Sequence, residues 1–201
     1  MIPEKTLAEA ILRHADAFEW SIQGLGMLRT YIDAEKTLRL HVWSREHAVP
    51  GVSQMHTHPW HMKSHVLAGV VMQYRYTLEG TEAEVPDREV TYRMGLYNRQ
   101  SLKCGVGGHL EEAPDKVWLR QGDFEQYNAG EAYTQRADEI HVSNPLSGTV
   151  TLLDRKVPEG ANPDLAYVFW PANEEWVSAE PRPATDEERD EIIGVALETW
   201  F

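Results

Sequence analysis

The alternation of apolar and polar positions divides the chain into two helical ends and a β-rich middle. Near the start, Thr6 and Glu9 stand at capping-box spacing, and Leu7, Ala10, Ile11 and Phe18 follow on one stripe at helical period. That pattern predicts a helix within residues 1–20. The segment "ATDEERDEIIGVALETWF" repeats it. Thr185 and Glu188 take the capping-box positions, acids crowd the positive end of the helix dipole, and Ile192, Ile193, Leu197 and Trp200 form the apolar stripe. A second helix is therefore predicted over 185–201.

Between these ends the period changes to two. "LGMLRTYIDAEKTLRLHVWS" is two β-like runs around Asp33-Ala34-Glu35-Lys36, which predicts a hairpin. "SHVLAGVVMQYRYTLEG", "REVTYRMGLYN", "KVWLRQGDFEQYN", "EIHVSN", "GTVTLLDRKV" and "LAYVFWPA" are further short runs rich in β-branched and aromatic residues, punctuated by Gly, Pro, Asn and Asp. Many short strands without intervening helices predict a mainly β sandwich or barrel over 21–178 that carries the two helices, all within one domain of residues 1–201. "AEPRPA" (179–184) reads as a short connector.

Composition narrows the function. The formal charge of −13, from 19 basic and 32 acidic residues, argues against a protein that tracks a nucleic-acid backbone, which needs a basic footprint. No stretch approaches 18 apolar residues, so no membrane span is predicted. The N-terminal stretch has acids inside its apolar run and no small-residue cleavage site, and does not read as a signal peptide. Cys104 is the single cysteine, which excludes an intrachain disulfide and fits a reducing compartment; the cytoplasm is the expected location.

The candidate chemistry concentrates in "MHTHPWHMKSH" (55–65), which holds His56, His58, His61 and His65. In a strand, residues i and i+2 share a face, so His56 and His58 would present two imidazoles side by side, as two ligands of one metal would require. Pro59 follows and marks a strand end or rim. His61 and His65 stand at a helical spacing inside what reads as the entry to a strand, and are not expected to act as a pair. On the residues alone, His56 and His58 are equally well ordinary surface or partly buried side chains.

Two stretches together change that balance. Gly51, His56, His58 and Gly69, followed downstream by Gly122, Asp123, Gly130 and His141 in "GDFEQYNAGEAYTQRADEIHVSNPLSGTVTLLDR", resemble the two ordered motifs of the cupin superfamily. The first has one residue fewer than usual between Gly51 and His56, and the second is stretched so that His141 stands well beyond Tyr133. The resemblance covers about half the chain. It implies a double-stranded β-helix, or jelly-roll barrel, with a metal held inside by His56, His58 and His141. The family's usual first-motif glutamate falls at Met62, whose thioether is a poor ligand for hard divalent ions.

A three-histidine set without a carboxylate leaves a divalent ion its full charge and open positions. That arrangement is similar to the iron-dependent, cysteine dioxygenase-like cupins. The resemblance implies Fe(II), with Zn, Mn or Ni as alternatives, a small organic acid or thiol as substrate together with O2, and a homodimer. It also gives His61 a counterpart in those enzymes. Tyr133 and Tyr127 lie beside the second motif, where a phenol could donate to a bound oxygen. His61 and Tyr133 are therefore the candidate catalytic residues, and Arg75, Arg99 and Arg120 the candidates for binding an acidic substrate. Two other readings stand beside the dioxygenase: a metal-dependent isomerase or lyase with His61 as general base, and a non-catalytic small-molecule-binding cupin. "CGVGGHL" (104–110) lacks the lysine of a phosphate-binding loop and reads as an ordinary loop, and no nucleophile triad has a foothold.

Overall fold

In a computed structural model the structure describes residues 4–52, 55–84, 92–98, 109–178 and 180–201. Arg99 and Cys104 lie outside the described residues. The fold is mainly β, with one helix near each end.

The first sheet runs, in spatial order, β10 (Ala132–Gln135), β5 (His61–Ala68), β12 (Val150–Lys156), β3 (Leu38–Ala48), β2 (Leu25–Tyr31), β1 (Ser21–Gln23) and β14 (Arg182–Pro183). The second runs β13 (Leu165–Pro171), β4 (Met55–His56), β11 (Ile140–Pro145), β6 (Val70–Thr81), β9 (Val117–Asn128), β7 (Tyr92–Asn98) and β8 (His109–Glu112). It curls until β13 also pairs with β7, so six of its strands close into an antiparallel barrel. Every predicted run forms a strand. The predicted connector "AEPRPA" contributes β14, which pairs with β1 through Ser21 and Pro183.

The predicted hairpin forms, and Asp33 holds its turn. Its carboxylate accepts from the amides of Thr37 and Leu38 at 2.9 and 2.7 Å and from the Thr37 hydroxyl at 2.6 Å. Gly122 and Asp123 do not interrupt the predicted run over 116–128. Both residues lie within β9, where Tyr74 pairs with Phe124 and Tyr76 with Gln121, so two residues bulge opposite one and the strand bends without ending.

Helix α1 (Glu4–Arg13) already includes Thr6, so the predicted capping box is absent; Glu9 instead accepts from Arg13 at 2.9 Å. Its buried stripe is also shifted, to Ala8, Ile11 and Leu12, while Leu7 stays exposed. Helix α2 (Asp186–Trp200) carries the second capping box as expected, with Thr185 and Glu188 bonded reciprocally.

Both helices lie on the outer face of the first sheet. Ala8, Ile11 and Leu12 of α1 and Ile192, Ile193 and Ala196 of α2 pack with Leu28, Leu40, Val42, Val150 and Leu152 into the largest apolar core. A second core lies within the closed barrel, with Met55, Val117, Ile140 and Phe169 contributed by four of its strands. The inner face of the first sheet, which looks across at β4 and β11, mixes a smaller apolar cluster, including Met62, Val66, Tyr133 and Leu153, with the polar side chains of Arg29, Arg39, His41 and Ser64.

Candidate metal centre

Strand β4 is only two residues long, and its two side chains divide between two compartments. Met55 enters the barrel core, and His56 points the opposite way, between the sheets. Thr57 then pins the chain to β13: its amide donates to the Tyr167 carbonyl at 2.9 Å, and the Tyr167 amide donates to its hydroxyl at 3.0 Å. This keeps the extended path for one more residue, so His58 returns to the face of His56. The His58 amide donates to the Ala137 carbonyl at 3.2 Å, and its ring stacks on Trp60 at 5.1 Å.

His141 arrives from the neighbouring strand, directly opposite His56 in the β4–β11 register. The three rings therefore converge. Centroids lie 4.6 Å apart for His56 and His58, 4.6 Å for His56 and His141, and 5.0 Å for His58 and His141. One nitrogen from each ring lies within 4.8 Å of the others, which makes these three side chains a group able to hold a metal ion.

The chemistry of the donors fits that role. His141 is almost wholly buried, and its Nδ1 lies 3.3 Å from the Glu139 carbonyl. A proton on Nδ1 donated to that carbonyl leaves Nε2 bare, the arrangement by which a neighbouring backbone group orients a metal-ligating imidazole. Burial, followed by the nearby His56 charge, holds His141 well below the ordinary 6.5, so protons do not compete for its lone pair. Imidazole donors suit Zn, Fe, Ni or Cu, and no carboxylate belongs to the group.

The three rings form part of the wall of a cavity of about 60 Å³ between the sheets, room for an ion with a few small ligands. Met62 lines it, as does Tyr133, whose buried phenol faces Ser64 and Gln73 and stacks on Tyr127 at 4.7 Å. Burial raises the Tyr133 phenol above its ordinary value, so it serves as a protonated donor. His61 does not reach the cavity. It is exposed on the other face of β5, where its Nδ1 accepts from the Ala137 amide at 3.2 Å. His65, on that same outer face, pairs with Glu4 of α1 at 3.0 Å.

Of the arginines expected at the site, the two among the described residues are engaged elsewhere. Arg75 bridges Glu125, at 2.9 Å, and Glu139, and Arg120 pairs with Glu79. The cavity is lined instead by Arg29, Arg39 and a further histidine, His41, none of which sequence reasoning had singled out. Period two puts Met27, Arg29 and Tyr31 on one face of β2 and Arg39, His41 and Trp43 on one face of β3, but does not say which face turns inward. His41 is buried, and its Nε2 has no hydrogen-bond partner among the described residues. Burial first, then Arg39 and Arg29, hold its ring well below 6.5 and therefore neutral.

Compared with known proteins, the chain matches no family model and no curated protein. Among the described residues no helix is long and apolar enough to cross a membrane.

Proposed function

We propose that this chain is a metal-dependent cupin of the jelly-roll type, and that it oxidises a small organic acid with O2 at an Fe(II) held by His56, His58 and His141. The observation that carries the reading is the convergence of three imidazoles, with no carboxylate among them, in a cavity between two β-sheets. Iron in such a set would supply redox chemistry and positive charge for an anionic substrate and O2. The residues around it have separate tasks. Trp60, stacked on His58, helps to keep bulk water from the ligands, Tyr133 offers a hydrogen bond from its neutral phenol, and Met62 fills the place of an acidic ligand without charge.

A lyase or isomerase on the same scaffold is the second reading, and His41 is the observation in its favour. A neutral imidazole with an unpartnered nitrogen in the same cavity is equipped to take a proton from a substrate, a role His61 cannot fill from the outer face.

Elemental analysis of the purified protein is the first test. The wild type is expected to carry close to one equivalent of iron, and His56→Ala and His141→Ala to lose it; variants that keep wild-type metal content would sink the assignment. Oxygen consumption by iron-loaded protein with carboxylic acids and thiols then separates the two readings. Product formed without oxygen uptake favours the isomerase or lyase.

A further inference from the structure

Beside the histidine cavity lies a larger chamber of about 380 Å³, within the range of small-ligand sites, and Arg29, Arg39, His56 and Trp60 line both. The register of the first sheet builds its charged wall. Arg29 stands opposite His41, Arg39 lies between Tyr31 and Leu153, and Arg155 lies two residues beyond Leu153 on the same face of β12. Lys36, at the hairpin turn, lines the chamber as well. Guanidinium groups on the inner face of a sheet occupy positions where packing alone favours apolar side chains, and burying charge is costly unless something compensates it.

The aromatic residues hold these cations in place. The Arg155 guanidinium lies 4.8 Å from the Trp60 ring and 5.6 Å from Tyr31; that of Arg39 lies 5.4 and 5.8 Å from the same two rings. Stacking fixes the guanidinium planes, and Arg39 also bonds to the Tyr31 hydroxyl. Arginines elsewhere in this acidic chain commonly meet a carboxylate, as Arg13, Arg93, Arg136, Arg182 and Arg189 do. Arg29 and Arg155 do not: among the described residues Arg29 donates to the Ser21 hydroxyl at 3.1 Å, and Arg155 to the Lys36 carbonyl at 2.9 Å. The chamber lining holds four cationic side chains against two carboxylates, Asp164 and Glu180, and Glu180 accepts from the Tyr97 hydroxyl at 2.8 Å.

The same guanidinium groups bear on Tyr31. Burial by itself would raise its phenol, yet Arg39, Arg29 and Arg155 bring it below the ordinary value of 10. The unpartnered Nε2 of His41 belongs to the adjoining histidine cavity, where Arg29 and Arg39 line both spaces.

We infer that this chamber binds a small molecule carrying two negative charges, a dicarboxylate or a phosphate-bearing acid, with its anionic end on Arg29, Arg39 and Arg155 and its other end toward His56. The identity of the anionic end is independent of the metal; only the placing of the reactive end rests on the function proposed above.

Calorimetric titration of the purified protein with malonate, inorganic phosphate and acetate tests this. At least one dianion is expected to bind ten or more times tighter than acetate, and the better of the two identifies the class. Arg155→Gln is expected to weaken that binding at least tenfold with metal content unchanged, and Arg155→Lys to restore part of it. Arg155 is partly exposed, so its variants test the site even where a substitution at buried Arg39 impairs folding. His141→Ala separates the two claims: dianion binding that survives in it and fails in Arg155→Gln places the anion on the arginines. Dianions that bind no tighter than acetate, or binding lost in His141→Ala but kept in Arg155→Gln, would overturn the inference. Metal retained in His141→Ala would refute the metal assignment instead.

Discussion

Gly69 joins β5 to β6 with φ of +79°, in the left-handed region that side chains with a β-carbon avoid. A β-carbon there would also stand 2.5 Å from the Thr149 hydroxyl oxygen and 2.9 Å from the Thr149 Cα, a site already committed because that hydroxyl bridges both backbone groups of Val70. Gly69→Ala is expected to destabilise the protein by about 1–3 kcal/mol, read as a lower urea midpoint. His41 supplies a pH signature. Above its ordinary pKa of 6.5 the ring is neutral in both folded and unfolded chains, and its contribution to stability is complete. As pH falls below 6.5 the unfolded chain takes up the proton first, so stability falls until the depressed folded value is reached. Urea unfolding from pH 7 to 5 is expected to show this loss, and His41→Gln to flatten it by up to about 1.4 kcal/mol per pH unit. At this scale His56 and His58 were legible as a pair because i, i+2 spacing is a local pattern, whereas His141, 83 residues beyond His58, was reached only through the resemblance to the cupin motifs. His41 and the arginines were not: an inward-facing charge on a strand reads like an outward-facing one until the register assigns the faces.

The contrast between the two helices defines what was legible at the scale of elements. A capping box predicts a helix start only if the chain turns helical at that residue. Thr185 meets this with an extended backbone and a hydroxyl accepting from the Glu188 amide at 3.2 Å, whereas Thr6 lies inside a helix that already includes Glu4. Thr185→Ala is therefore expected to cost about 1 kcal/mol in urea unfolding, and Thr6→Ala markedly less. Glu188 should make the first effect pH-dependent. Arg182 and the Thr185 amide lower its carboxyl from the ordinary 4.5 to about 2, so its stabilisation is complete above 4.5 and disappears as pH falls toward 2. The strands themselves were evident from period two, apart from those of only two to four residues, which are too short to display a period. Gly122 shows the converse case. Punctuation that reads as a turn can be absorbed as a bulge when the neighbouring strand continues to pair.

For the whole molecule, the β-rich middle and terminal helices followed from sequence, while the placing of the core did not. Alternation says that each strand has an apolar face but not which partner covers it. Here the largest apolar core joins the first sheet to the helices, and the space between the sheets holds histidines, arginines and aromatic rings beside a smaller apolar cluster. The candidate site and the largest core thus draw on opposite faces of the same strands, so substitutions at Arg39 or His41 have neighbours unlike those of Leu40 or Val42.

That division has a consequence for how the chain acquires its fold. The largest core needs α1 and α2, which lie at opposite ends of the described chain, and β1 on that sheet pairs with β14, immediately ahead of α2. During synthesis the oily face of the first sheet stays open until α2 emerges. Contacts this distant in sequence carry a large loop-closure cost and slow folding. The nascent protein is therefore dependent on α2 to end a period of exposure, and that interval is when aggregation competes most strongly with folding.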